Sequence, residues 1–256
     1  MSTDRTATAP AAGTPRLDED HHVHSTFSDD AVSTPAENLA AARRAGLRRV
    51  RMVDHVRTTS THVPDMLAAV RALPPVDGLE VLTGVEAKVL DVAGAVDAPA
   101  DVLAALGTPD GPDRVLLADH QLPGPDGPWS PRVVRERLDA GAVRPADVVE
   151  MLVTATARAV ERTGRAQLAH PFSVLPKVGL DEDDVPDALL DALAAVLVAT
   201  GTPAEVNEKW ACPGPRVRAR WAGAGVLLVA STDAHVATDV GVYRRLAPAR
   251  ATGGTA

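Results

Sequence analysis

A single cysteine, Cys212, occurs in 256 residues, so the chain can build neither an intrachain disulfide framework nor a metal site of several thiolates. Aromatics are nearly as scarce: two Phe, one Tyr and three Trp give few platforms on which bases could stack. There is no excess of positive charge either. The formal charge of −8 provides no electrostatic footprint for a polyanion, and long nucleic acid is not expected as a partner. No apolar run approaches the length of a membrane span, and Met1 to Pro15 lacks the apolar stretch of a secretion signal. A cytoplasmic protein without a membrane partner is the expectation.

What the chain does have is Ala, Val and Leu, within 45% hydrophobic residues, enough for one substantial core. Residues 1–16 and 248–256 read as tails, leaving 17–247 as one domain. Within it, short β-like runs alternate with Ala-rich helical stretches. Strands are predicted near Leu17–Val23, Arg48–Val53, Leu79–Val85, Arg114–Ala118, Ala166–Ala169, Ala204–Val206 and Val226–Ala230. Helices fit Pro35–Ala45, Pro64–Leu73, Pro131–Ala140, Pro145–Arg162, Val185–Ala199 and Pro215–Ala222, some opened by a Ser or Thr cap before proline, as in Ser33-Thr34-Pro35 and Ser130-Pro131. Lys88–Ala98 reads as a hairpin turning at Ala93-Gly94, and Leu122–Pro131, rich in Pro and Gly, as a surface loop. Seven alternating strand–helix units predict an α/β fold, a closed barrel of parallel strands.

The histidines are placed unevenly against that frame. The first strand ends Asp20-His21-His22-Val23-His24, and side chains two apart on a strand share a face, so His22 and His24 project together. Later strands end in Asp54-His55, Glu86, Asp119-His120 and His170-Pro171, and the last in Asp233-Ala234-His235, which repeats the spacing of two. Six of eight histidines thus fall at carboxyl ends of strands, which form one face of a β/α barrel. A lone histidine is more often an ordinary surface or core residue, the reading taken for His21 and His62. Stability alone does not account for the collective pattern. With Asp29 in the loop after the first strand, the set His22, His24, Asp29, His55, Glu86, His120, His170, Asp233 and His235 offers more N and O donors than one ion needs, which predicts two or three ions sharing the site.

These residues resemble the polymerase and histidinol phosphatase (PHP) superfamily. Asp20-x-His22-x-His24-Ser25-x-x-Ser28-Asp29 is similar to its first motif, Asp54-His55 to its second and Gly84-Val85-Glu86 to part of its third. His120, His170-Pro171 and Asp233-Ala234-His235 match the later ligand positions. The resemblance, strongest to the stand-alone phosphoesterases, implies a distorted seven-stranded (β/α)7 barrel holding two or three divalent metal ions, Zn, Mn or Fe. Asp30 stands where the family usually has glycine, which leaves the ligand open between Asp29 and Asp30.

The chemistry expected is hydrolysis of a small phosphate monoester on a phosphorylated metabolite, with a metal-bridging hydroxide as nucleophile. Asp20, Asp54 and Asn207 are candidates for orienting imidazoles or bound water, and Arg57 and Lys209 for meeting the phosphate. The competing readings are a phosphodiesterase or nucleotide hydrolase on the same metals, and a non-catalytic, metal-stabilised scaffold.

Overall fold

The computed structural model describes residues 14–247; the expected tails fall outside the described residues except for 14–16. Seven parallel strands, β1 (Glu19–Val23), β2 (Arg49–His55), β3 (Glu80–Lys88), β4 (Arg114–Ala118), β7 (Ala166–Leu168), β8 (Ala204–Asn207) and β9 (Leu228–Ser231), lie in that order in one sheet. His24 N–H donates to the Ala234 carbonyl at 2.8 Å beside a parallel Val23–Ala234 bridge, which brings the last strand back to the first. The result is the predicted α/β barrel, nearly closed.

Helices α1 (Pro35–Arg44), α2 (Val63–Arg71), α3 (Ala100–Ala104), α4 (Pro131–Asp139), α5 (Pro145–Thr163), α6 (Asp187–Thr200) and α7 (Pro215–Gly223) run between the strands. Their starts follow local chemistry. Thr34 Oγ1 accepts from Glu37 N while a Glu37 carboxylate oxygen accepts from Thr34 N, with Pro35 at the first helical position of α1. Ser130 Oγ caps α4 before Pro131 by accepting from Val133 N at 3.3 Å. No helix among the described residues is long and apolar enough to cross a membrane.

The main core lies between strands and helices, with Met52, Leu117, Leu152, Leu193 and Trp221 all but inaccessible. Inside the barrel a second apolar group, Val53, Leu116, Ala118 and Ala169, forms a plug. Gly84 belongs here because a Cβ would meet Leu116 Cδ1 at 3.1 Å and Val53 Cγ2 at 3.2 Å. At the amino-terminal end of the strands the interior is ionic: Glu19 contacts Arg48, Arg49 and, at 2.6 Å, His21 Nε2. Burial opposes ionisation of Glu19, yet His21 and the two arginines hold its carboxyl down at about 2.

One expected element differs. Leu122–Pro131 is not a plain surface loop: β5 (Leu122–Gly124) and β6 (Gly127–Trp129) pair antiparallel, with Leu122 and Trp129 buried. Trp129 Nε1 donates to Asp126 in the turn at 2.6 Å, and the Arg137 guanidinium lies 4.0 Å from the ring centre. The Pro and Gly that signalled a loop are here the turn and two very short strands. The Lys88–Ala98 hairpin is present, with an antiparallel bridge between Val89 and Val96.

Candidate metal centre

Register assembles the site. β2 and β3 pair so that His55 lies beside Glu86, and the Val23–Ala234 bridge brings His24 to Asp233 and His235. β1 carries an irregularity between Asp20 and Val23 against β2, an extra residue of the kind that re-aims side chains near sites. His22 and His24 point into the barrel mouth with Nε2 atoms 3.0 Å apart, while His21 turns to Glu19.

Glu86 is the centre of the arrangement. Its Oε2 lies 2.9 Å from His55 Nδ1, 3.3 Å from His24 Nε2 and 3.4 Å from His22 Nε2. Its Oε1 is 3.0 Å from His170 Nε2 and 3.3 Å from His120 Nε2. Despite this crowding, the buried Oε2 has no hydrogen-bond partner. The nitrogens surround it without aiming a hydrogen at it.

The reason is visible on the far side of the rings. His22 Nδ1 meets Glu205 Oε1 at 2.9 Å. His24 Nδ1 meets Ser28 Oγ at 3.0 Å, and that hydroxyl donates to Asp54 Oδ1 at 2.7 Å. His170 Nδ1 meets Ser173 Oγ at 3.0 Å, and that hydroxyl donates to Asp119 Oδ1 at 2.6 Å. Each acceptor fixes the proton on Nδ1 and leaves the Nε2 lone pair facing Glu86. Three lone pairs and a carboxylate cannot face one another in a buried space without a cation between them. The carboxylates call for positive charge here: burial opposes charge on His22, but Glu205 and Glu86 raise its pKa well above the ordinary value, and burial likewise loses on Glu86, which the imidazoles hold well below its own. Two protonated rings at His22 and His24 would set N–H against N–H, whereas divalent ions would satisfy both.

The donor set fits such ions. His24, His55 and His235; His22, Glu86 and His170; and His22, His24 and Asp233 form three groups whose ligand atoms lie within 4.8 Å of one another. All donors are nitrogen or carboxylate oxygen, which suits zinc, manganese or iron. His120 stacks on His170 with centroids 5.1 Å apart and completes the rim. Two residues of the donor set carry backbone strain: His170 (φ 27) and Asp233 (φ 54) sit in the left-handed region, costly for a side chain and characteristic of functional sites.

The loop after β1 sets its two aspartates differently. Asp30, not Asp29, approaches the cluster, with carboxylate oxygens 3.2 Å from His235 Nε2 and 3.5 Å from His55 Nε2. The Asp29 side chain is 79% exposed and lies 3.9 Å from Arg57 Nη2. Of the two aspartates, Asp30 is the one beside the cluster, and Asp29 points outward from the turn. Arg57 is largely exposed at the mouth, while Lys209 Nζ lies 3.3 Å from both Asp233 Oδ2 and His235 Nδ1.

Of the remaining candidates, Asp54 acts on His24 through Ser28. Asp20 touches no imidazole; it accepts from Thr232 N at 2.9 Å, Thr232 Oγ1 and Gly241 N at 2.9 Å, and so fixes the loop that carries Asp233. Asn207 is likewise indirect, donating to Glu205 and Ser231 and accepting from Trp210 N. Sequence reading missed Glu205, fully buried and accepting from Gln167 Nε2, His170 N and Ser231 Oγ as well as facing His22. The signal available was a lone carboxylate inside the apolar strand Ala204-Glu205-Val206. It also missed Trp210, whose Nε1 donates to Asp233 Oδ2 at 2.7 Å.

No family model matches the chain. Among curated relatives, a protein of Caldanaerobacter subterraneus subsp. tengcongensis named a probable phosphatase is 34% identical over 94 residues, 36% of this chain and 37% of that one. The chain thus spans about two fifths of the length of the curated relatives it first matches, 37% to 40%. A longer alignment, 26% identical over 88% of this chain and 81% of the relative, joins it to a probable phosphatase of Shewanella frigidimarina. Two solved structures share the fold. A candidate histidinol phosphatase from Listeria monocytogenes has a TM-score of 0.62 at 15% identity, covering 87% of this chain and 97% of its own. Histidinol phosphate phosphatase from Lactococcus lactis subsp. lactis, solved with zinc, L-histidinol and phosphate, has a TM-score of 0.53 at 13% identity, covering 86% of both chains.

Proposed function

We propose that this chain is a metal-dependent phosphoesterase of the PHP superfamily, acting on a small phosphate monoester in the cytoplasm. The observation that carries the reading is the buried Glu86 carboxylate, its Oε2 unpartnered, faced by the Nε2 atoms of His22, His24 and His170, whose Nδ1 atoms are already committed. The likeness to probable phosphatases and to the barrel of a zinc- and phosphate-bound phosphatase supports it. The ligands are His22, His24, His55, Glu86, His120, His170, Asp233 and His235, with Asp30 beside His55 and His235.

The chemistry that divalent ions would supply there is a lowered pKa of bound water and neutralisation of phosphoryl oxygens. The chain's own residues do the rest. Glu205, Ser28–Asp54 and Ser173–Asp119 hold the rings of His22, His24 and His170 in one tautomer and orientation. Asp20 and Trp210 fix Asp233, the former through Thr232. Lys209 presents its ammonium to the mouth beside Asp233 and His235, where an incoming phosphate gains a fixed positive charge. Arg57, exposed on the opposite rim, meets the substrate only at its entry.

The test is hydrolysis by metal-loaded protein of alkyl and aryl phosphate monoesters against the corresponding diesters, with His22→Ala as control. Monoesters are expected to be preferred by at least about tenfold in kcat/KM, which corresponds to 1.4 kcal/mol, and the control to be inactive on both. Diester preference would replace the substrate class, and no hydrolysis of either with zinc, manganese or iron would overturn the reading.

A further inference from the structure

The mouth of the barrel is not symmetric about the metal centre. On the side of β2 to β4 a cavity of about 290 Å³ is lined by Arg57 and Lys88 beside His55 and His120. Where β8 and β9 end, a larger cavity of about 500 Å³ opens off the cluster itself, since Asp233 and His235 belong to both. Lys209, Arg244 and Arg245 line it.

The two arginines stand there because the segment after Asp239 is pinned at three points. Gly241 N donates to Asp20 Oδ2 at 2.9 Å, and the Tyr243 hydroxyl donates to the Glu19 carbonyl at 2.5 Å. The Glu208 carboxylate accepts the backbone N–H groups of Arg244 at 2.9 Å, Arg245 at 2.8 Å and Leu246 at 3.0 Å. Glu208 is therefore spent on fixing the segment, not on pairing with a guanidinium. Arg245 Nη1 donates to the Lys209 carbonyl at 3.1 Å, a neutral partner. Among the described residues neither arginine forms an ion pair with a carboxylate. On the outer surface the contrast is plain: Arg216 is paired with Asp187, and Arg220 with Asp187 and Asp191. Lys209 already leans on Asp233, and of the acids lining this cavity only Asp239 has no such commitment.

Resting on the phosphoesterase reading, we propose that Arg244 and Arg245 form a second anion subsite, so that the substrate is a phosphate ester carrying a further phosphate or carboxylate. A guanidinium fork matches either group in geometry. Because the backbone beneath both arginines is already held, binding there spends little on ordering the segment. The scissile phosphate lies at the cluster, and the second anionic group lies over Arg244 and Arg245.

The test uses a homologous series of α,ω-alkanediol bisphosphates against alkyl monophosphates of the same chain lengths, with the metal-loaded wild type and with Arg244→Ala, Arg245→Ala and Arg245→Lys. At least one length is expected to show kcat/KM about tenfold or more above its monophosphate, the worth of one hydrogen bond to a charged group, expressed mainly through KM. That ratio is expected to collapse towards one in the alanine variants and to survive in part in Arg245→Lys. A series of ω-carboxyalkyl phosphates then shows which second group is preferred. Monophosphate hydrolysis with no preference at any length, or a preference that persists in both alanine variants, overturns the subsite and leaves the phosphoesterase reading standing. Failure of wild type to hydrolyse any of these esters overturns both.

Discussion

Glu86→Gln is expected to remove nearly all hydrolysis while leaving the barrel folded. Glu86 lies within 3.4 Å of ring nitrogens from His22, His24, His55, His120 and His170, and its carboxylate is the negative charge that all five rings share. Glutamine keeps the volume but removes the charge, and it places an amide N–H₂ or a weaker oxygen among lone pairs. An ion at such a site is worth several kcal/mol of transition-state stabilisation, so kcat/KM should fall by roughly three orders of magnitude. Metal content should fall by at least one ion per chain, with the far-ultraviolet circular dichroism unchanged. Retention of full metal and activity would show that the imidazoles converge for another reason.

Glu205→Gln is expected to cost about ten- to a hundredfold in metal affinity or activity, the range for partners that orient a ligating histidine. All of Glu205's neighbours give hydrogens: His22 Nδ1, Gln167 Nε2, His170 N, Asn207 Nδ2 and Ser231 Oγ lie between 2.8 and 3.1 Å. An amide in its place sets its own N–H₂ against at least one of them, leaving a buried donor unsatisfied at about 1–3 kcal/mol. A structural role alone predicts lowered thermal stability with unchanged metal affinity. The orienting role predicts that metal titration shifts with the pH at which His22 releases its proton. Equal metal binding in both proteins across that pH range would reduce Glu205 to a packing residue.

The parts of this site that the sequence exposed are those that obey a period. His22 with His24 and Asp233 with His235 follow the two-residue alternation of strands, and a parallel barrel gathers all strand ends on one face. The parts that stayed hidden depend on contacts between distant residues or on irregular backbone. Asp30 reaches the cluster and Asp29 does not because of how the turn after β1 runs, which no periodicity records. Glu205 is a single carboxylate in a short strand, and its partners come from β1, β7 and β9. Trp210 reaches Asp233 only through the loop after β8. The hairpin of β5 and β6 was obscured by its own composition, since proline and glycine occupy strand positions in segments too short to show alternation. The register irregularity in β1 is equally invisible: Asp20-His21-His22-Val23 reads as regular, yet it carries an extra residue against β2.

The most direct test of the account is the metal content of protein purified without chelator, together with aryl phosphate hydrolysis before and after the metal is stripped and restored. Two or three divalent ions per chain are expected for the three donor groups, with activity lost on stripping, regained on restoration and absent in His22→Ala. Protein that takes up no zinc, manganese or iron under any reconstitution condition would contradict the central claim.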